Sequence, residues 1–163
     1  MKPSELLSLL NELHGDTAGL LHRHVAAARL VEHYDYNNTY QYIIAREDTH
    51  LAWLRAAIDD LGGGPGAVAP EPQVRLEGRG AERLEGILRD DVSLADAFIE
   101  KWAARVPNIT NARHRKMCEI LVGETREHRR MFAQALEGRP DVLGRRTGGQ
   151  TTGGGVLATR WVE

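Results

Sequence analysis

Thirteen of the 17 glycines fall in two short segments, and their placement limits the possible folds more than any other feature. Six lie in 62–80, GGGPGAVAPEPQVRLEGRG, together with three prolines. Seven more lie in 138–155. Glycine and proline are the poorest helix formers, so these segments read as a long connection and a tail. Only Gly15, Gly19, Gly86 and Gly123 are left for the rest of the chain. Two glycine-poor blocks remain, about 4–61 and 81–137.

Each block reads as a pair of amphipathic helices. In 38–61 the apolar residues are Tyr40, Ile43, Ile44, Leu51, Leu54, Ile58 and Leu61. That is the three-and-four spacing of one helical face. Similar stripes run over 4–33 (Leu6 to Val31), 81–106 (Leu84 to Val106) and 109–137 (Ile109 to Ala135). Pro3 and Ser4 suit a helix start. YDYNN at 34–38 and VPNIT at 106–110 carry turn residues and are short, so each block is expected to fold as an antiparallel helical hairpin. No β pattern of comparable length appears. The expected fold is therefore all-α, a four-helix bundle over 1–138 with a flexible glycine-rich tail over 139–163. At about 3.3 Å per residue the 62–80 segment can stretch to roughly 60 Å, enough to run the length of the bundle. The second and third helices can then be parallel, joined by one crossover.

Composition excludes several classes. A chain of 163 residues fits one domain with a sizeable core. A net charge of −2 argues against nucleic acid as a partner. The single cysteine, Cys118, forms no internal disulfide and no CxxC metal knuckle. No apolar run is long enough for a membrane span, and no signal region opens the chain, so a cytoplasmic location is expected.

The informative residues interrupt the apolar stripes. On the second helix Glu47 and His50, three apart, sit between Ile43/Ile44 and Leu51/Leu54. On the fourth, Glu124 with Glu127 or His128 sits between Leu121 and Met131. On the third, Asp91 sits between Leu88 and Leu94, with Asp90 beside it as the alternative inward carboxylate. On the first, His14 lies between Leu10 and Leu21, with Thr17 one turn on. Buried carboxylates cost several kcal/mol, about, unless paired or coordinated. Two solutions are open: a pair of divalent cations held by carboxylate and imidazole, or arginine partners such as Arg46, Arg89, Arg113 and Arg126. His14 to Glu47 and Asp91 to Glu124 are both separations of 33, which suggests a polar pair at matching height in each hairpin.

With these residues the chain resembles the ferritin-like superfamily, the bacterioferritin and rubrerythrin group in particular, over about 4–137. Those proteins use one Glu from each of two helices and a Glu-x-x-His from each of the other two. Glu47-Asp48-Thr49-His50 matches the first Glu-x-x-His, and Glu124 matches the Glu of the second. Asp91 falls where the third helix offers its Glu, and His14 where the first does. The fourth-helix motif departs from the pattern: in Glu124-Thr125-Arg126-Glu127-His128 the histidine is one residue late and Glu127 takes its slot.

The resemblance implies a four-helix bundle with a crossover, binding two iron ions, with manganese as the alternative metal. It implies the chemistry of a ferroxidase or peroxidase-like oxidoreductase, in iron handling or oxidative-stress defence. The implied ligands are Glu47, His50, Asp91, Glu124 and His128, with Glu127 and His14 as further candidates. It also implies a homo-oligomer. The competing reading is a metal-free bundle that serves as a structural or protein-interaction module.

Other polar residues have plainer readings. His22, His33 and His114 suit solvated or turn-facing positions, whereas His24 could reach the seam. Tyr34, Tyr36, Tyr40 and Tyr42 suit packing at the bundle end, and Cys118 suits a small buried site. The terminal VLATRWVE, 156–163, suits docking on its own bundle, a neighbouring subunit or a separate partner.

Overall fold

The computed structural model describes residues 1–64, 66, 74, 78–144, 146–147 and 150–151. Four long helices carry the fold: α1 (Pro3–Ala28), α2 (Tyr34–Asp60), α3 (Gly80–Arg105) and α4 (Ala112–Leu136). A 3₁₀ turn, Val106–Asn108, joins α3 to α4. Two two-residue strands, β1 (Arg146–Thr147) and β2 (Gln150–Thr151), pair antiparallel in the tail, where no regular structure was expected. Segment 156–163, proposed for docking, lies outside the described residues.

Helix ends follow local chemistry. α1 begins at Pro3, and the Glu5 carboxylate accepts a hydrogen bond from the Lys2 backbone N–H at 2.7 Å. The break between α1 and α2 lies at 29–33, not at 34–38. Asn37 reads as a turn residue, yet it sits in the first turns of α2. From there its side-chain amide donates to the Ala28 and Val31 carbonyls at 2.8 and 3.1 Å, closing the end of α1. At the start of α4, Asn111 accepts from the His114 N–H at 3.1 Å.

Side-chain pairs give the helix directions. Along α1 and α3, Glu12 meets Arg105, Asp16 meets Lys101 and Arg23 meets Asp91, so these two run antiparallel. Along α2 and α4, Tyr36 reaches the Ala135 carbonyl, Arg46 meets Glu124 and Asp60 meets Arg113, so these also run antiparallel. α1 and α2 form an antiparallel hairpin, as do α3 and α4. α2 and α3 are therefore parallel, and the 62–80 connection must cross from one end of the bundle to the other.

Both ends of that connection agree. After α2, Gly62 takes a left-handed φ of 73°, a conformation that glycine adopts without a Cβ penalty. Gly63 passes so close to α1 that a Cβ there would lie 2.5 Å from a Leu7 methyl. The Gly66 N–H then donates to Asn11 at 2.8 Å. At the far end, Gly80–Leu84 lies beside Leu30–His33, where the two segments line a cavity of about 250 Å³.

The core has two apolar bodies. One packs Leu6–Leu13, Leu54–Ile58, Trp102, Ile109 and Cys118–Val122 at one end. The other packs Ala27–Val31, Tyr36–Ile43, Ile87, Leu88, Phe132 and Ala135 at the opposite end. Buried polar side chains lie between them, beside the small apolar cluster of Ala18, Leu21 and Leu51.

Candidate metal centre

All four helices contribute to this interior polar layer: Arg23 and His24 from α1, Tyr40, Glu47 and His50 from α2, Asp91 from α3, and Glu124 and His128 from α4. All but Tyr40, which belongs to the apolar stripe of α2, interrupt such a stripe, so helix formation turns them inward. Asp91 is fully buried, whereas Asp90 is exposed, so Asp91 is the inward carboxylate.

Each carboxylate has a basic partner. Both Glu47 oxygens lie 2.9 Å from His24 Nδ1. A carboxylate only accepts, so Nδ1 carries the proton and donates it. Asp91 accepts from Arg23 Nε at 2.7 Å and from the Tyr40 hydroxyl. Glu124 holds Arg46 through two hydrogen bonds, at 2.9 and 2.5 Å, and lies 2.8 Å from His50 Nε2. These pairs differ in exposure. The Arg23 and Asp91 side chains are 8% and 0% exposed, whereas Arg46 and Glu124 are 33% and 26% exposed. The first pair is sealed in the core; the second opens to solvent between α2 and α4.

The imidazoles are the least satisfied groups. His24 Nε2 and His128 Nδ1 are buried without a hydrogen-bond partner among the described residues. Burial first, and then the charges of His24 and His50, push the His128 pKa down to about 3, so it stays neutral with a nitrogen lone pair available. Burial is also the largest influence on His50 and lowers its pKa despite the neighbouring Glu124. For His24 burial opposes protonation, but the charge and hydrogen bond of Glu47 outweigh it, and the pKa rises. Burial alone would raise the Glu124 pKa; Arg46 and His50 bring it down.

Two expected site residues lie elsewhere. Glu127 is exposed on the outer face of α4 and pairs with Arg130. His14 is buried beside Arg55, with Nε–Nε2 at 3.4 Å, ten residues from His24 and so about 15 Å along α1. The matched-height expectation for His14 and Glu47 fails for a geometric reason. Along an antiparallel pair the sum of residue numbers is conserved, not the difference. His24–Glu47 and His14–Arg55 share nearly the same sum, and His14–Glu47 does not. Of the four candidate arginines, Arg46 enters the layer; Arg89 and Arg113 make surface pairs with Glu85 and Asp60, and Arg126 is exposed.

Arg23 and Tyr40 belong to the layer although sequence reading passed them over. Sequence reading does not single out Arg23, and Tyr40 reads as bundle-end packing. A signal was present: Arg23 and His24 lie between Leu20/Leu21 and Ala27/Ala28, the same interruption seen around Glu47.

The donor set passes part of a test for metal. Carboxylates and neutral imidazoles suit iron and manganese alike, and two of the five unpartnered imidazole nitrogens among the described residues lie in this layer, the other three belonging to His22 and His114. Among the described residues, however, no three His, Cys, Asp or Glu side chains converge on one point at ligand distances. Metal ligation requires Glu124 to release Arg46, or Glu47 to share its oxygens between His24 and the ion.

No protein-family model matches the sequence, and no curated protein matches it. Among solved structures the fold matches the Desulfovibrio desulfuricans bacterioferritin, whose diiron site was captured in different catalytic states. The TM-score is 0.69 at 16% identity, covering 83% of this chain and 80% of that one. At that identity the likeness speaks for the architecture alone. The crossover topology and the match together show that the chain has a four-helix fold of ferritin-like topology.

Proposed function

We propose that this chain is a metal-binding ferritin-like protein that oxidises Fe(II) with oxygen or peroxide, in iron handling or oxidative-stress defence. Glu47, His50, Glu124 and His128 hold the metal; His24 positions Glu47. Iron is the metal favoured by the likeness to a diiron bacterioferritin, and manganese accepts the same ligands. A bound redox metal supplies the electron-transfer chemistry with oxygen. The chain's own residues provide the acidic, imidazole-lined seat. On this reading the protein works as a homo-oligomer in the cytoplasm.

One observation carries the reading: the unpartnered nitrogen His128 Nδ1, buried in the layer within reach of the Glu124 charge. A buried polar atom without a partner costs about 1–3 kcal/mol, and a metal ion repays that cost for an imidazole. The opening between α2 and α4 at Glu124 supports it, since an ion must enter.

A second reading is favoured by Arg23 and Arg46, which already neutralise carboxylates of the layer. On that reading the bundle is metal-free and serves as a structural or interaction module. Metal analysis separates the two. Protein purified from iron-supplemented cells should carry metal, and Glu47→Ala should lose most of it. Less than about 0.2 metal per chain, unchanged by the substitution, would overturn the metal reading.

A further inference from the structure

We infer that Arg23 takes the place of a second cation, so that the centre accepts one divalent ion and not two. The inference rests on the metal reading above and concerns how many ions the layer can hold.

The argument is one of charge and access. The layer has three carboxylates, Glu47, Asp91 and Glu124. Asp91 is committed: Arg23 Nε lies 2.7 Å from one oxygen, and the Tyr40 hydroxyl donates to the other. Both of its partners are buried, and Arg23 is further tied to the Ile87 carbonyl at 3.4 Å and to Asp90 at 3.6 Å. A buried guanidinium has no solvent to retreat into, and removing it would leave a buried carboxylate uncompensated. Arg46, by contrast, is one-third exposed and can swing outward, freeing Glu124.

Once Arg46 has moved, Glu124 is free beside His50, while Glu47 stays hydrogen-bonded to His24 through both oxygens and can only share them with an ion. Those two carboxylates are the most negative charge the layer can turn toward metal, enough for one divalent ion at most. A second would add two positive charges next to a fixed guanidinium, with no uncommitted carboxylate left among the layer residues. In a low-dielectric interior such an imbalance is prohibitive. The protein's own cation therefore does on the α1/α3 side what a metal would do on the α2/α4 side.

The test counts ions. Metal-stripped full-length protein is dialysed against Mn(II), and bound metal is measured with the electron paramagnetic resonance spectrum. The expected result is about one Mn(II) per chain with the spectrum of an isolated ion. Saturation at about two per chain, with spin coupling, would overturn the inference while leaving the metal reading intact. No binding, with Glu47→Ala indistinguishable from the natural protein, would overturn both. Arg23→Gln tests the cause: it should raise the count toward two, while Arg23→Lys, which keeps the charge, should stay near one. A helical Arg23→Gln variant that still binds one ion would overturn the assignment to Arg23. If that variant does not fold, the count and spectrum of the natural protein decide.

Discussion

Arg46 shows how much one side chain can control here. Its guanidinium occupies both oxygens of Glu124, the carboxylate that opens to solvent. On the metal reading an ion and this arginine would compete for the same atoms. On that reading Arg46→Leu should tighten Mn(II) binding, by about fivefold or less if the pair is worth about 1 kcal/mol or less. It should also lower the stability of the metal-free protein, by about 1 kcal/mol or less because the pair is partly solvated. Titration calorimetry and urea unfolding would read the two effects, which have opposite signs. Unchanged or weaker metal binding would show that Arg46 does not compete. Cys118 is a simpler case: burial pushes its thiol up to about 12, so it packs as a small apolar residue, as the sequence suggested.

At the scale of elements, α1 and α3 are joined on their outer edge by a charged strip. Glu12 pairs with Arg105 and Lys101, Asp16 pairs with Lys101 and accepts from the Trp102 indole, and both cations lie against the Trp102 ring. Hydrogen bonds from Arg105 and Lys101 hold the Glu12 carboxyl down, from 4.5 to about 2. The folded state therefore binds the proton less readily than the unfolded chain. The stabilisation is complete above about pH 4.5 and is lost as pH falls toward about 2. Glu12→Gln should remove this part of the acid dependence, leaving a flatter stability curve in that window. An identical curve for the variant would show that the strip does nothing for the α1–α3 contact. Element identity was legible beforehand, because stripe spacing and glycine placement are local properties. Helix ends were less so. Asn37 and the tyrosines at 34–36 have turn-like composition, but α2 begins there because Asn37 caps α1 from inside the next helix.

Across the whole molecule, the two apolar bodies are separated by a charged layer, and its pairs are coupled. Asp91→Leu should cost about 3 kcal/mol, since the buried Arg23 would keep only the exposed Asp90 at 3.6 Å and the Ile87 carbonyl at 3.4 Å. The double variant Arg23→Met with Asp91→Leu should recover most of that loss. Urea unfolding of the three proteins would settle it. A double variant as unstable as the single one would mean that the ion pair itself, rather than its completion, holds the two bodies together. Such a layer is a poor choice for stability alone, which agrees with a role in binding.

The sequence by itself determined four helices, their amphipathic faces, the crossover and the rule that certain acids must point inward. All of these follow from periodicity and from where glycine and proline fall, properties fixed within a few residues of chain. Only the tertiary structure decided the partners of those acids. Glu47 met His24 and not His14; Asp91 met Arg23 and Tyr40; Glu124 met Arg46 and His50. Partner choice depends on the axial register and rotation of one helix against another. A shift of one turn, about 5.4 Å, replaces every partner while leaving every apolar stripe buried. The thirteen clustered glycines say where the helices stop, but the packed side chains set which residues come level.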